Sequence, residues 1–207
     1  MKKIMKITLL LIIATTFFPS IAMTQKNNWK LEKDENDIKI YTRFVEGSSF
    51  KEFKGEITIT CEMTEIVKLL KDVSKFKDWV ADCEKVELLK FEGSDQYHYI
   101  ETSIPWPLEN RDMVYNFNYL KETNLVTEVI ITGKANYIPK KKGIVRMTQA
   151  NGFWKLISIG ENRIEVTYQL HAEPGGVIPA WLANSTVVDM PYNTLNGLKD
   201  MLNFHNR

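Results

Sequence analysis

Ile104-Pro105-Trp106-Pro107-Leu108-Glu109-Asn110-Arg111-Asp112-Met113-Val114-Tyr115 is the stretch in which a stiff loop turns into a strand. Pro105 and Pro107 bracket Trp106. Each proline fixes its own φ and lacks an N–H, so this segment is rigid and stands outside any sheet interior. Beyond Asn110 the pattern becomes alternating: Tyr115, Phe117 and Tyr119 share one face of the strand, and Asn116 and Asn118 share the other. Arg111 and Asp112 are adjacent, so their side chains point to opposite faces and do not form a neighbour ion pair.

Working outward, strand-like runs at 29–32 and 38–44 flank a polar turn at 33–37, and Phe50, Phe53, Ile57 and Ile59 extend a third strand towards Cys61. The period then changes. Ile66, Leu69, Leu70 and Val73 recur at helical spacing with Thr64 as N-cap, and Phe76 and Trp79 mark a second short helix. Strands are expected at 85–91, 96–103, 112–120, 125–133, 144–159 with a kink at Gly152, and 163–173, separated by turn signals at 93–95, 121–124, 140–143 and 160–162. Pro174-Gly175-Gly176 ends the last strand. From Pro179 to Asn203 the pattern is helical, with Trp181, Val188, Leu195 and Leu202 in one stripe, Tyr192 and Leu198 beside it, and Pro191 as a kink. This order fits an α+β helix-grip fold, a curved antiparallel β-sheet wrapped around a long C-terminal α-helix. Sheet and helix stand too far apart to close everywhere, which predicts an internal hydrophobic tunnel between them.

The chain has 207 residues, 44% of them hydrophobic, and a formal charge of +1, the balance of one globular domain with no single-sign field to hold a nucleic acid. Lys2, Lys3 and Lys6 precede an apolar run at 7–18, and Ser20-Ile21-Ala22 offers small residues for cleavage. Residues 1–22 therefore read as a signal peptide and 23–207 as the exported domain, periplasmic or secreted. The apolar run is short for a membrane span, which needs about 20 residues. Loss of three lysines and no acid leaves the domain at −2. Cys61 and Cys83 are either a pair formed in an oxidising compartment or two separate buried thiols. With three scattered histidines they give no metal-ligand spacing, and no cofactor is expected.

The run at 104–115 resembles the central motif of START domains, the StAR-related lipid-transfer family. Gly175-Gly176-Val177-Ile178-Pro179-Ala180-Trp181-Leu182-Ala183-Asn184 resembles the entry into that family's C-terminal helix. With the element order, the resemblance spans essentially all of 23–207. It implies a monomeric carrier that holds a lipid or other hydrophobic small molecule in the tunnel and touches a membrane transiently. The Pro-rich loop and the C-terminal helix would form the gate. Sterol-binding members carry a basic residue further along the strand after the Arg-Asp pair. Asn116-Phe117-Asn118-Tyr119 has no charge there, so that head-group pairing is not implied. The alternative is a cyclase- or hydrolase-like enzyme on the same fold, which needs an acid–base pair in the cavity.

The residues expected on the ligand are Trp106, Arg111, Tyr115, Phe117, Tyr119, Trp154, Tyr168 and His171 from loop and sheet, and Trp181, Val188 and Leu195 from the helix. Each has a structural reading beside the functional one. Arg111 either bonds local backbone or meets a lipid phosphate, which suits its planar fork. Trp106 either caps the core or dips into a bilayer interface. The aromatics are either sheet core or a cage for a quaternary ammonium group. His171 is either a satisfied strand histidine or a base, although no nucleophile motif accompanies it. Lys140-Lys141-Lys142 is either a solvated turn or a contact for anionic head groups.

Overall fold

Alternating β-branched and aromatic positions build ten strands in the computed structural model, which describes residues 28–205. The leader assigned to residues 1–22 lies outside the described residues. β1 (Lys30–Glu35), β2 (Ile38–Phe44) and β3 (Lys51–Thr60) form the expected meander. α1 (Met63–Lys71), a 3-10 turn (Val73–Lys75) and α2 (Phe76–Trp79) follow. The long β region comprises β4 (Cys83–Glu92), β5 (Asp95–Thr102), β6 (Arg111–Glu122), β7 (Val126–Gly133), β8 (Val145–Arg146), β9 (Gln149–Ser158) and β10 (Arg163–Glu173). α3 (Ala180–Thr186) and α4 (Asp189–His205) complete it. One curved sheet runs β1-β2-β3-β10-β9-β7-β6-β5-β4 with antiparallel neighbours, and β8 adds to β6 in parallel. This is the helix-grip arrangement.

Three local expectations change. Glu62, not Thr64, precedes α1, because the Glu65 carboxylate reaches back to accept the Glu62 N–H at 2.9 Å, half of a capping box. The strand expected at 144–159 breaks between Arg146 and Gln149 rather than at Gly152. Gly152 stays inside β9 because β10 crosses it closely: a Cβ there would stand 2.0 Å from the Gln169 carbonyl oxygen. The single C-terminal helix is two helices that part at Val187–Val188. Pro191 has no N–H to give the carbonyl four residues earlier, so the helix restarts with Pro191 in its first turn, where proline is tolerated. The restart resets the helical phase. Leu195, Leu198 and Leu202 stay fully buried, each contributing about 2 kcal/mol of burial, whereas Trp181 on α3 turns outward.

Both cysteines are free thiols. Cys61 lies near Glu62 and Glu65, and Cys83 near Lys77. Burial pushes each thiol up to about 11, far from a reactive thiolate.

The outer face of β5 and β6 is covered as well, by residues 134–144. Tyr137 stacks on Tyr97 with ring centroids 4.9 Å apart, and the Lys141 ammonium sits 3.4 Å from the Tyr99 ring centroid. Arg146 fastens this strap. Its guanidinium donates twice to the Asp112 carboxylate, at 2.7 and 3.1 Å, and also to the carbonyls of Ala135, Ile138 and Pro139. Both charged groups are shut from water, and the fork geometry satisfies them mutually.

Replacing Asp112 by Ala should lower stability by about 3–5 kcal/mol in urea unfolding, because the Arg146 charge is left buried without its partner. Gly197→Ala supplies a second check with an unusual sign. Alanine in a helix interior ordinarily gains about 1 kcal/mol over glycine. Here a Cβ would meet the Trp79 carbonyl oxygen at 2.5 Å, so the variant should melt lower than the parent.

Candidate ligand-binding site

The concave face of the sheet, α2 and the start of α4 enclose a cavity of about 80 Å³. Tyr115 and Phe117 of β6, Trp154 of β9 and Tyr168 of β10 form its floor, and Phe76, Trp79, Met190 and Thr194 form its roof. Small-molecule pockets run to about 300–1,000 Å³. The space is therefore a filled chamber with room for a few waters, not the open tunnel expected from the element order. Aromatic packing is the cause. Trp154 lies flat on Tyr168 with centroids 3.9 Å apart and planes at 1°. The Trp79 ring meets Trp154 edge-on at 6.1 Å, and Phe53 meets Tyr168 at 4.9 Å. Thr194 closes the roof by accepting the Ala81 N–H at 3.1 Å.

Of the residues expected on the ligand, Tyr115, Phe117, Trp154 and Tyr168 come together on this wall. Leu195 is fully buried beneath it, against Gly55, and Val188 packs half-buried at the helix restart. Tyr119 faces the same side but lies beyond the cavity, where its hydroxyl donates to the Gln96 side chain at 3.4 Å and Lys71 sits over its ring. Trp106 and Trp181 stand outside, 92% and 73% exposed. His171 is misplaced in the expected set. It lies three positions from Tyr168 on β10 and so points to the outer face, beside Glu173 at 3.3 Å. The alternation of β10 was sufficient to exclude it. Missed altogether was α2, whose Phe76 and Trp79 had been read only as the pattern of a short helix.

Arg111 starts β6 on the concave side, opposite Thr102, which borders the cavity. It is 4% exposed and donates to the Glu109 carbonyl, the local backbone bond anticipated for it. Its Nε–H has no acceptor and no carboxylate pairs with it among the described residues. Burial pulls its pKa down, against the opposing charge of Glu109.

His98 of β5 is the polar group that sequence reading passed over. It is fully buried, and neither ring nitrogen has a hydrogen-bond partner among the described residues. Phe117 lies 4.4 Å away edge-on, Phe76 5.3 Å away, and Tyr115 stacks at 6.1 Å. Burial alone drives its pKa to about 3, so the imidazole is neutral. Trp79 Nε1 is likewise shut in without an acceptor among the described residues. Each such group costs about 1–3 kcal/mol if left unmatched. Burial raises the hydroxyl pKa values of Tyr115 and Tyr168 as well, keeping both phenols neutral.

Outside the chamber Ser48, Glu173 and His171 stand together. Glu173 sits in the middle, accepting the Ser48 hydroxyl while facing His171. A base that activates a nucleophile would have to stand between the other two, so this order does not prepare Ser48 for attack.

A sequence model of the START domain matches residues 18–206. The crystal structure of a STAR-related lipid transfer protein fragment from Xanthomonas axonopodis superposes with a TM-score of 0.79 at 44% identity, covering 84% of this chain and 98% of that one. An uncharacterized protein of Pseudomonas aeruginosa is 38% identical over 96% of this chain and 97% of its own length. The mouse phosphatidylcholine transfer protein is 27% identical over 87% of this chain and 86% of its own. The chain belongs to the START domain family.

Proposed function

We propose that the protein is a non-enzymatic lipid carrier of an exported compartment, which takes one amphipathic lipid between its sheet and its C-terminal helices and releases it at a membrane. The observation that carries this reading is the aromatic-walled chamber, whose roof includes the start of α4, next to the weakly held α3. Leu195, Leu198 and Leu202 hold the second part of α4, whereas α3 has no buried residue and is tied chiefly by Asn184 to the Lys51 N–H at 2.8 Å and the Ser49 carbonyl at 3.0 Å. Lifting α3 and the first turn of α4 unroofs Met190 without disturbing the anchor. Entering hydrocarbon is then driven in at about 25 cal/mol per Å².

The membrane contact in this reading is the end of the molecule that carries Trp106. β8 ties the pieces together there: Val145 donates to the Asn110 carbonyl, and Gly175 and Gly176 lie directly against Arg146 and Val145. Trp106, Val177 (95% exposed) and Trp181 thus project from neighbouring segments, with the exposed Lys140 and Lys142 on the turn before β8. Indole rings favour the head-group level, and each lysine near anionic lipid adds about 1 kcal/mol. The buried Arg111 cation at this same end suits a lipid phosphate. An enzyme reading would need a carboxylate or base pair at the cavity. The titration of His98 is governed by burial with no charged partner, which favours the carrier.

Purified protein, incubated with vesicles and re-isolated, should carry one lipid per chain by native mass spectrometry. A protein that emerges empty from vesicles of every head-group class would overturn the carrier function. Trp106→Ala should change stability by less than about 0.5 kcal/mol, as for an exposed side chain. It should slow exchange of a fluorescent lipid between vesicles several-fold while leaving equilibrium loading unchanged.

A further inference from the structure

His98 and Trp79 lie on different elements and flank one ring. Phe76 meets Trp79 edge-on at 5.2 Å and His98 edge-on at 5.3 Å. Phe76 and Trp79 border the chamber directly, and His98 touches three of its wall residues. The two side chains place three polar atoms on either side of the Phe76 ring: a donor on Trp79 Nε1, and one donor and one acceptor on the neutral imidazole. All three are sealed from solvent and none has a partner among the described residues. Buried polar atoms in folded proteins are almost always matched. Packing alone does not account for them here, since a phenylalanine at 98 would fill an aromatic box without stranding two nitrogens.

We propose that His98 and Trp79 form a hydrogen-bonding subsite at the inner wall of the chamber, which receives a neutral hydroxyl or ester group of the bound lipid. The proposal rests on the carrier reading and adds the chemistry the ligand must bring. A hydroxyl gives its proton to the unprotonated imidazole nitrogen or accepts from the other nitrogen or from Trp79 Nε1. An ester carbonyl accepts from either donor. A quaternary ammonium has no proton to give and no lone pair to offer, so it satisfies none of the three atoms. A phosphate would bring a net charge into a wall that has no cation beside it. Thr102, opposite Arg111, lies four positions beyond His98, about 13 Å along β5 at roughly 3.3 Å per residue. The phosphate-compatible Arg111 and the neutral subsite therefore lie at two depths, as the phosphate and the ester or hydroxyl groups of one amphiphile do.

The test uses three probes of equal chain length with one end varied: 1-hexadecanol, methyl palmitate and hexadecane. Each is measured by displacement of a chamber-bound fluorescent lipid from the full exported chain. The parent protein should bind the alcohol and the ester more tightly than the alkane. His98→Phe should weaken the alcohol about five- to tenfold, the worth of a neutral hydrogen bond, and leave the alkane unchanged. Trp79→Phe keeps an aromatic ring but removes the N–H, and should weaken the ester in the same way, which protects the test if one variant folds poorly. The ¹⁵N resonances of the His98 ring should shift on adding alcohol and stay still on adding alkane. Equal binding of all three probes by parent and variants, with unmoved His98 resonances, would sink the subsite while leaving the carrier intact. Failure of every probe and every vesicle lipid to bind would sink both.

Discussion

Leu195 of α4 lies on β3 at Gly55, so close that a Cβ on residue 55 would stand 2.6 Å from the leucine Cδ1. Gly197, two positions on, lets the same helix touch the Trp79 carbonyl, where a Cβ would approach to 2.5 Å. These two contacts set the depth of the chamber. They draw α4 down on the sheet and α2 down on α4, which brings Trp79 edge-on to Trp154 and places Met190 and Thr194 over the floor. Larger side chains at 55 and 197 would hold the helix away from both neighbours, and the aromatic stack would lose its roof.

The two faces of the sheet treat charge in opposite ways, and Arg111 and Asp112 make the contrast between adjacent residues. Asp112 points outward, under the strap, and is matched twice by Arg146. Arg111 points inward, has one backbone acceptor, and pairs with no carboxylate among the described residues. Unsatisfied polarity is concentrated on the concave side and in the roof above it, at Arg111, His98 and Trp79, and at Thr127 on β7. Outside, His171 Nδ1 is the counterpart, beside a network in which Glu52 accepts from both Arg43 and Gln169. A protein whose interior served packing alone would keep its unmatched atoms off the inner wall. Under the proposed function the ligand supplies the missing partners.

Much of the fold was legible because strand alternation and turn chemistry are local. β2 and β10 fall where the pattern put them, and the loop of Pro105 and Pro107 stands outside the sheet as their missing N–H groups require. The break before Pro191 was half legible. Proline announced a kink, but only the carbonyl four residues earlier says that the helix must stop at Val187 and restart, which moved Trp181 off the chamber. The site was harder. Tyr115, Phe117, Trp154 and Tyr168 were found because inward alternation and cavity lining are the same property in a curved sheet. His171 was a failure of that rule's application, not of the rule. Phe76, Trp79 and His98 were out of reach, since their meeting depends on how α2 folds over β5, and no period in the sequence encodes that long-range approach.

The small volume of the chamber bears on how a carrier of this design would work. An aqueous tunnel wide enough for a lipid would leave a large apolar surface wet, at about 25 cal/mol per Å². The contacts of Trp79 with Trp154 and of Trp154 with Tyr168 cover that surface. Under the proposed function, loading then exchanges aromatic contacts for lipid contacts of similar kind, so the net change stays small and the step can run in both directions at a membrane. That reversibility needs the segment leading into the roof to be weakly held. α3 meets the need, with no buried residue and its two bonds from Asn184, whereas Leu198 and Leu202 keep the second part of α4 seated. The helix restart at Val187–Val188 lies between the two parts, and it is there that the backbone lacks the hydrogen bond that would make them move as one.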